Sequence, residues 1–182
     1  MRHWDVSLHS SHSEQALEMV HRKDSKILLY SIFIILLDQL AKAAGREFLE
    51  PGQSVRLLGD YVRLTLIENP GMAFGIRLGS KTFFTVFATI ASLAILVYLF
   101  RIRGDRFSAR FALALILGGA LGNLIDRILY GKVVDFVDIG VKELRWPVFN
   151  VADIAVTAGM IILVTLVLFE KDKERDPEPK VY

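Results

Sequence analysis

Apolar residues fall in four long runs: ILLYSIFIILLDQLAKAA at 27–44, FFTVFATIASLAILVYLF at 83–100, FALALILGGALGNLI at 111–125 and VFNVADIAVTAGMIILVTLVLF at 148–169. A helix rises about 1.5 Å per residue, so about 20 residues cross a hydrocarbon layer roughly 30 Å thick. The third run reaches that length only if it continues past Asp126 through Ile128 to Tyr130. Read so, the pattern predicts four transmembrane helices.

The connector at 45–81 is too long for a simple turn. Pro51-Gly52 and Gly59-Asp60 mark turns, and Val62, Leu64 and Leu66 alternate with Tyr61, Arg63 and Thr65. That period belongs to a half-buried strand. NPGMAFG (69–75) then returns the chain to the second helix. The predicted fold is an α-helical polytopic membrane protein, with four transmembrane helices and a small extracytoplasmic β-sheet between helices one and two. Its domain plan is a cytoplasmic extension at 1–26, disordered or loosely helical, a membrane domain at 27–169 and a charged cytoplasmic tail at 170–182. No signal-peptide pattern is expected, because a small-residue cleavage site is missing after the first run.

Charge orients the bundle. Arg22, Lys23 and Lys26 precede helix one, and Arg101, Arg103, Arg106 and Arg110 crowd the connector between helices two and three. Basic residues are sparser in the longer opposite loop, so both termini are expected to be cytoplasmic. On that orientation Asp38, Lys42, Asn123, Asp126, Asn150 and Asp153 share one depth, near the outer face.

Composition narrows the chemistry. The chain has 182 residues, is 53% hydrophobic and carries a net charge of +2 without one basic face, which argues against nucleic-acid binding. It contains no cysteine, and its four histidines, His3, His9, His12 and His21, lie in the first 21 residues, far from the carboxylates. A thiolate nucleophile, a histidine triad or a zinc centre at that level is therefore excluded.

An ionisable group at membrane depth costs on the order of 3 kcal/mol on insertion scales, so its default reading is a functional site. On helix three Asn123, Asp126 and Arg127 stand at i, i+3 and i+4, on one face. Gly118 and Gly122 form a small-xxx-small pair that admits a neighbouring helix. Asn150, Asp153 and Thr157 share a face of helix four. Arg127 can neutralise Asp126 and Lys42 can neutralise Asp38, whereas Asp135 and Asp153 have no basic residue at i±3 or i±4 on their own segments, Lys132 lying across the helix end expected after Gly131. Two carboxylates held close cannot both ionise, so they share a proton and divide the roles of base and acid. On the residues alone the partner of Asp153 is Asp135, with the nearer Asp126 as the alternative. A transporter or proton-conducting subunit is the competing class, and it predicts carboxylates spread through the membrane depth. A purely structural assembly factor would leave Asp135 and Asp153 without a purpose.

Five blocks in order, DQLAK (38–42), NPGMAFG (69–75), GGALGNLIDR (118–127), VVDF (133–136) and FNVAD (149–153), resemble those of the signal peptidase II (lipoprotein signal peptidase) family. The resemblance spans roughly residues 27–169; Met72 departs from the smaller residue common there. It implies a membrane aspartic endopeptidase whose catalytic pair is Asp135 and Asp153. It gives Asp38, Lys42, Asn69, Asn123, Asp126, Arg127 and Asn150 supporting or substrate-binding roles, beside Gly122 at the close helix contact. It also implies a substrate, a bacterial prolipoprotein cut before its diacylglyceryl-modified cysteine, together with phospholipid contact, inhibition by globomycin and no metal or organic cofactor. Asn123 or Asn150 is expected to donate to the developing oxyanion or hold the substrate backbone.

Overall fold

The computed structural model describes the backbone of residues 7–73, 76–77, 81–102 and 107–175, and the side chains of residues 26–71, 82–102 and 107–169. The side chains of Met72 to Gly75, of residues 103–106 and of the tail at 170–182 lie outside the described residues. Four helices carry the apolar runs: α1 (Ser7–Phe48), α2 (Lys81–Arg101), α3 (Phe107–Leu129) and α4 (Val151–Arg175). Lys26–Phe48, Thr82–Arg101, Phe107–Leu129 and Val151–Phe169 are each long and apolar enough to cross a membrane. As the spacing required, α3 passes through Asp126 to Leu129.

The first helix begins well before its apolar run. Its backbone is helical from Ser7, inside the extension read as disordered or loosely helical. Glu14 to Met19 are good helix formers, and lengthening an existing helix adds a hydrogen bond per residue without a new nucleus. Likewise α4 continues into the charged tail as far as Arg175.

Helix α3 is the hub, packing against the other three. In an apolar 18-residue stretch of α3 56% of residues are buried, against 11–22% in the corresponding stretches of the other helices, whose Phe33, Leu40, Phe87 and Ile161 stand exposed as lipid-facing side chains do. Glycine makes this closeness possible. A Cβ on Gly118 would lie 2.9 Å from Ile34 and from the Ser31 carbonyl of α1, and one on Gly122 would lie 2.7 Å from Asp38 Oδ2. On Gly119 it would run into the Ala152 carbonyl of α4. Backbone cannot yield as a side-chain tip does, so Gly119→Ala should cost about 1–3 kcal/mol as the helices part. Gly45→Ala, whose added Cβ meets Phe136 at an ordinary 3.7 Å, is the control. Thermal denaturation in detergent measures both, and equal midpoints would contradict the close α3–α4 contact.

Helix α3 ends where Gly131 takes φ 74° and its N–H donates to the Arg127 carbonyl at 3.1 Å. A glycine in this left-handed conformation is a common helix stop. The chain then enters a sheet of four antiparallel strands in the order β1-β2-β5-β6, formed by Ser54–Leu58, Val62–Asn69, Val133–Val141 and Leu144–Arg145. A separate hairpin pairs β3 (Met72–Ala73) with β4 (Ile76–Arg77). The sheet between helices one and two is thus present, but it is completed by strands from the connector between α3 and α4. Leu64 and Leu66 of β2 pack on a core of Leu49, Val134 and Phe136, which fixes the inner face foreseen from their alternation.

Candidate active site

Strand β2 holds β5 in register, with Ile67 opposite Asp135 and Asn69 opposite Val133. This pairing brings Asp135 and Asn69 from the sheet to the ends of α1, α3 and α4, where the polar residues of the bundle form one hydrogen-bonded network.

Its foundation is an ion cluster within the bundle. Lys42 Nζ lies 2.8 Å from Asp38 Oδ2 and 3.0 Å from Asp126 Oδ2, and all three side chains are fully buried. The same ammonium donates to Asn123 Oδ1 at 2.9 Å. Asp38 Oδ1 accepts the Ala152 N–H at 2.9 Å, in the first turn of α4. Asp126 Oδ2 accepts the Val134 N–H at 3.1 Å, one residue before Asp135. Lys42 therefore pairs with both Asp38 and Asp126, whereas Arg127, adjacent to Asp126 in sequence, donates to the Asn123 carbonyl at 3.1 Å. Two contributors were not singled out from the sequence. Gln39 donates to Asp126 Oδ1 at 3.2 Å, and Arg46 lies 3.5 Å from the same oxygen with its guanidinium 4.3 Å over the Tyr130 ring. The i, i+4 step from Lys42 to Arg46 was the available signal.

Asn150 and Asp153 start α4 with a reciprocal cap. The Asp153 N–H donates to Asn150 Oδ1 at 2.9 Å, and the Asn150 N–H donates to Asp153 Oδ2 at 3.2 Å. This is a capping box with the shorter carboxylate at its third helical position, and the helix dipole favours negative charge there.

Three asparagines then address the two carboxylates. Asp135 accepts from Asn150 Nδ2 at 2.7 Å on one oxygen and from Asn69 Nδ2 at 3.1 Å on the other. Asp153 accepts from Asn123 Nδ2 at 2.8 Å on Oδ1 and from the Asn150 N–H on Oδ2. Each of the four oxygens thus receives one N–H, leaving it a further lone pair. Asn123 and Asn150, expected to donate to the developing oxyanion or hold the substrate backbone, each give a side-chain N–H to a carboxylate in this arrangement. In Asn69-Pro70-Gly71 the Gly71 N–H occupies Asn69 Oδ1 at 2.9 Å, which leaves Nδ2 for Asp135. Gly71 adopts φ 111° there, a conformation that favours glycine. Burial, and then the charge of nearby Asp153, push the Asp135 carboxyl up to about 7, against the pull of Asn69 and Asn150.

Asp153 opens onto an apolar groove of about 370 Å³, lined by Trp146, Phe149, Ile154, Thr157 and Ile161. Arg127 lines a smaller cleft with Asn69, Pro70, Phe84 and Gly131. The sequence-predicted residues are thus brought together, while Gly122 serves as the gap that admits the Asp38 carboxylate. The carboxylates are not distributed through the depth of the bundle, as a proton-conducting path would require.

Comparison with known proteins gives the same direction. The family model described as signal peptidase (SPase) II matches residues 30–169. A lipoprotein signal peptidase of Moorella thermoacetica is 42% identical over 152 residues, covering 82% of this chain and 98% of that protein. The Staphylococcus aureus lipoprotein signal peptidase is 32% identical, over 84% of this chain and 94% of its own length. A bacterial membrane enzyme solved by the in meso method at 2.3 Å resolution superposes with a TM-score of 0.74 at 31% identity, over 87% of this chain and 94% of that one. With four membrane-length helices, the matched family model and its polar blocks joined in one network, the chain belongs to the signal peptidase II family.

Proposed function

We propose that this protein is a membrane aspartic endopeptidase that removes signal peptides from diacylglyceryl-modified bacterial prolipoproteins, with Asp135 and Asp153 as the catalytic pair. The observation that carries the reading is the bridge made by Asn150, whose side-chain amide holds Asp135 and whose backbone N–H holds Asp153. One carboxylate, ionised, takes a proton from water as it attacks the scissile carbonyl; the other, protonated, gives its proton to the leaving amine. The apolar lining of the groove beside Asp153 suits an apolar part of the substrate, with phospholipid filling it otherwise. The proposed location is the bacterial cytoplasmic membrane, with both termini cytoplasmic and the site near the outer face.

Purified protein in phospholipid, offered a lipidated precursor and its unlipidated form, tests this reading. Cleavage before the lipidated cysteine alone, competed by globomycin and indifferent to chelators, is the expected result. Absence of cleavage, or loss in chelator restored by a divalent metal, would overturn it.

The raised Asp135 carboxyl sets the pH dependence. Protonated below about 7 and ionised above, it lets the pair keep one shared proton in the neutral range. Turnover should therefore decline as pH rises through about 7, and decline again in acid as the second carboxylate protonates. A rate that stays level from neutral into alkaline pH would contradict the shared proton.

A further inference from the structure

An asparagine can donate to a carboxylate only if its amide is turned the right way, and each amide here is turned by a group that has hydrogens to give and no lone pair to offer. The Gly71 N–H fixes Asn69 and the Asp153 N–H fixes Asn150, both within the local chain. Asn123 differs. Its Oδ1 is held by Lys42 Nζ at 2.9 Å from another helix, with Asn150 Nδ2 at 3.1 Å as a second donor, and this leaves Nδ2 for Asp153 at 2.8 Å. Asn150 cannot hold that orientation alone, because its own amide is shared with Asp135 and the Val134 carbonyl.

The Lys42 ammonium has three hydrogens and three partners, Asp38, Asp126 and Asn123. The two carboxylates fix where the nitrogen sits, and its third N–H then reaches Asn123. We infer that Lys42 is a positioning residue for the reaction: it locks the Asn123 amide so that an N–H, and not the carbonyl, faces Asp153. The inference rests on the reading of Asp135 and Asp153 as the catalytic pair. Without the lock the amide can reverse, and its carbonyl then repels an ionised Asp153 and favours the protonated acid. The charged groups around the pair are Asp38, Lys42 and Arg46 from α1, Asp126 and Arg127 from α3, Asp135 from β5 and Asp153 from α4.

The test is Lys42→Arg, which keeps the charge for Asp38 and Asp126 but replaces tetrahedral donors with a planar fork that does not reproduce the third bond. Per folded molecule, kcat should fall about 10- to 100-fold, the scale of one hydrogen bond to a charged group, with KM nearly unchanged. The acid limb of the pH–rate profile should move to higher pH. Should this variant not fold, Lys42→Met combined with Asp38→Asn and Asp126→Asn removes the unbalanced charges and carries the same expectation. A double-mutant cycle with Asn123→Leu completes the test: once Asn123 is replaced, changing Lys42 should reduce kcat no further. Wild-type kcat and pH profile in the folded Lys42 variant, or losses that multiply in the cycle, would overturn the inference. Such an outcome leaves the catalytic pair standing if Asp135→Asn and Asp153→Asn are inactive, and activity in those two would sink the pair itself.

Discussion

Asp135→Asn and Asp153→Asn should each abolish peptide cleavage while the protein still folds and inserts. A positioned acid or base contributes roughly 10²–10⁴-fold, and two that work as a unit fail together, so each variant should lose at least about 10³-fold. The double variant should be little worse than either alone. Folding survives because asparagine has nearly the shape of aspartic acid, and the buried Asp135 site already tolerates the uncharged form below about pH 7. The local cost is an N–H facing another N–H, about 1–3 kcal/mol. Asp126→Asn is the decisive comparison. Its carboxylate serves Lys42, Gln39, Arg46 and the Val134 N–H, and touches neither member of the pair in the described contacts. Substantial turnover per folded molecule is expected from it. If Asp135→Asn keeps near-normal turnover while Asp126→Asn loses it, Asp126 is the partner of Asp153 and the assignment falls.

Asp38→Ala should damage the protein before it damages the chemistry. Asp38 is fully buried, 2.8 Å from Lys42, and caps α4 through the Ala152 N–H. Removing it strands an amide and leaves one fewer carboxylate on a buried ammonium. Breaking a buried pair costs about 3–5 kcal/mol, or roughly 10 °C in melting temperature for a chain of this size. The α1–α4 contact should loosen with it. Yield and thermal midpoint should drop sharply, while protein that survives retains measurable turnover. Normal yield and midpoint with no activity would instead put Asp38 in the reaction.

The four apolar runs, the turn at Pro51-Gly52 and the alternation of Val62, Leu64 and Leu66 were legible in the sequence because each is a local pattern. Periodicity and helix length depend only on neighbours along the chain. Asp135 and Asp153 stood out for a related reason: a carboxylate among apolar residues without a local cation is conspicuous wherever it sits. The limits were also physical. Val133–Val141, VVDFVDIGV, shows no apolar–polar alternation, so its pairing with β2, and hence the true extent of the sheet, depended on a long-range register that local periodicity does not encode. The helical backbone of Ser7 to Lys26 was obscured by its polarity, since no apolar stripe marks it. Sequence adjacency offered Arg127 to Asp126, yet Lys42 takes that carboxylate from another helix, because Gly118 and Gly122 let α1 approach α3. Which asparagine N–H reaches which carboxylate was likewise decided only by tertiary structure. An amide's orientation follows from the donor that claims its oxygen, and for Asn123 that donor is Lys42, 81 residues away along the chain.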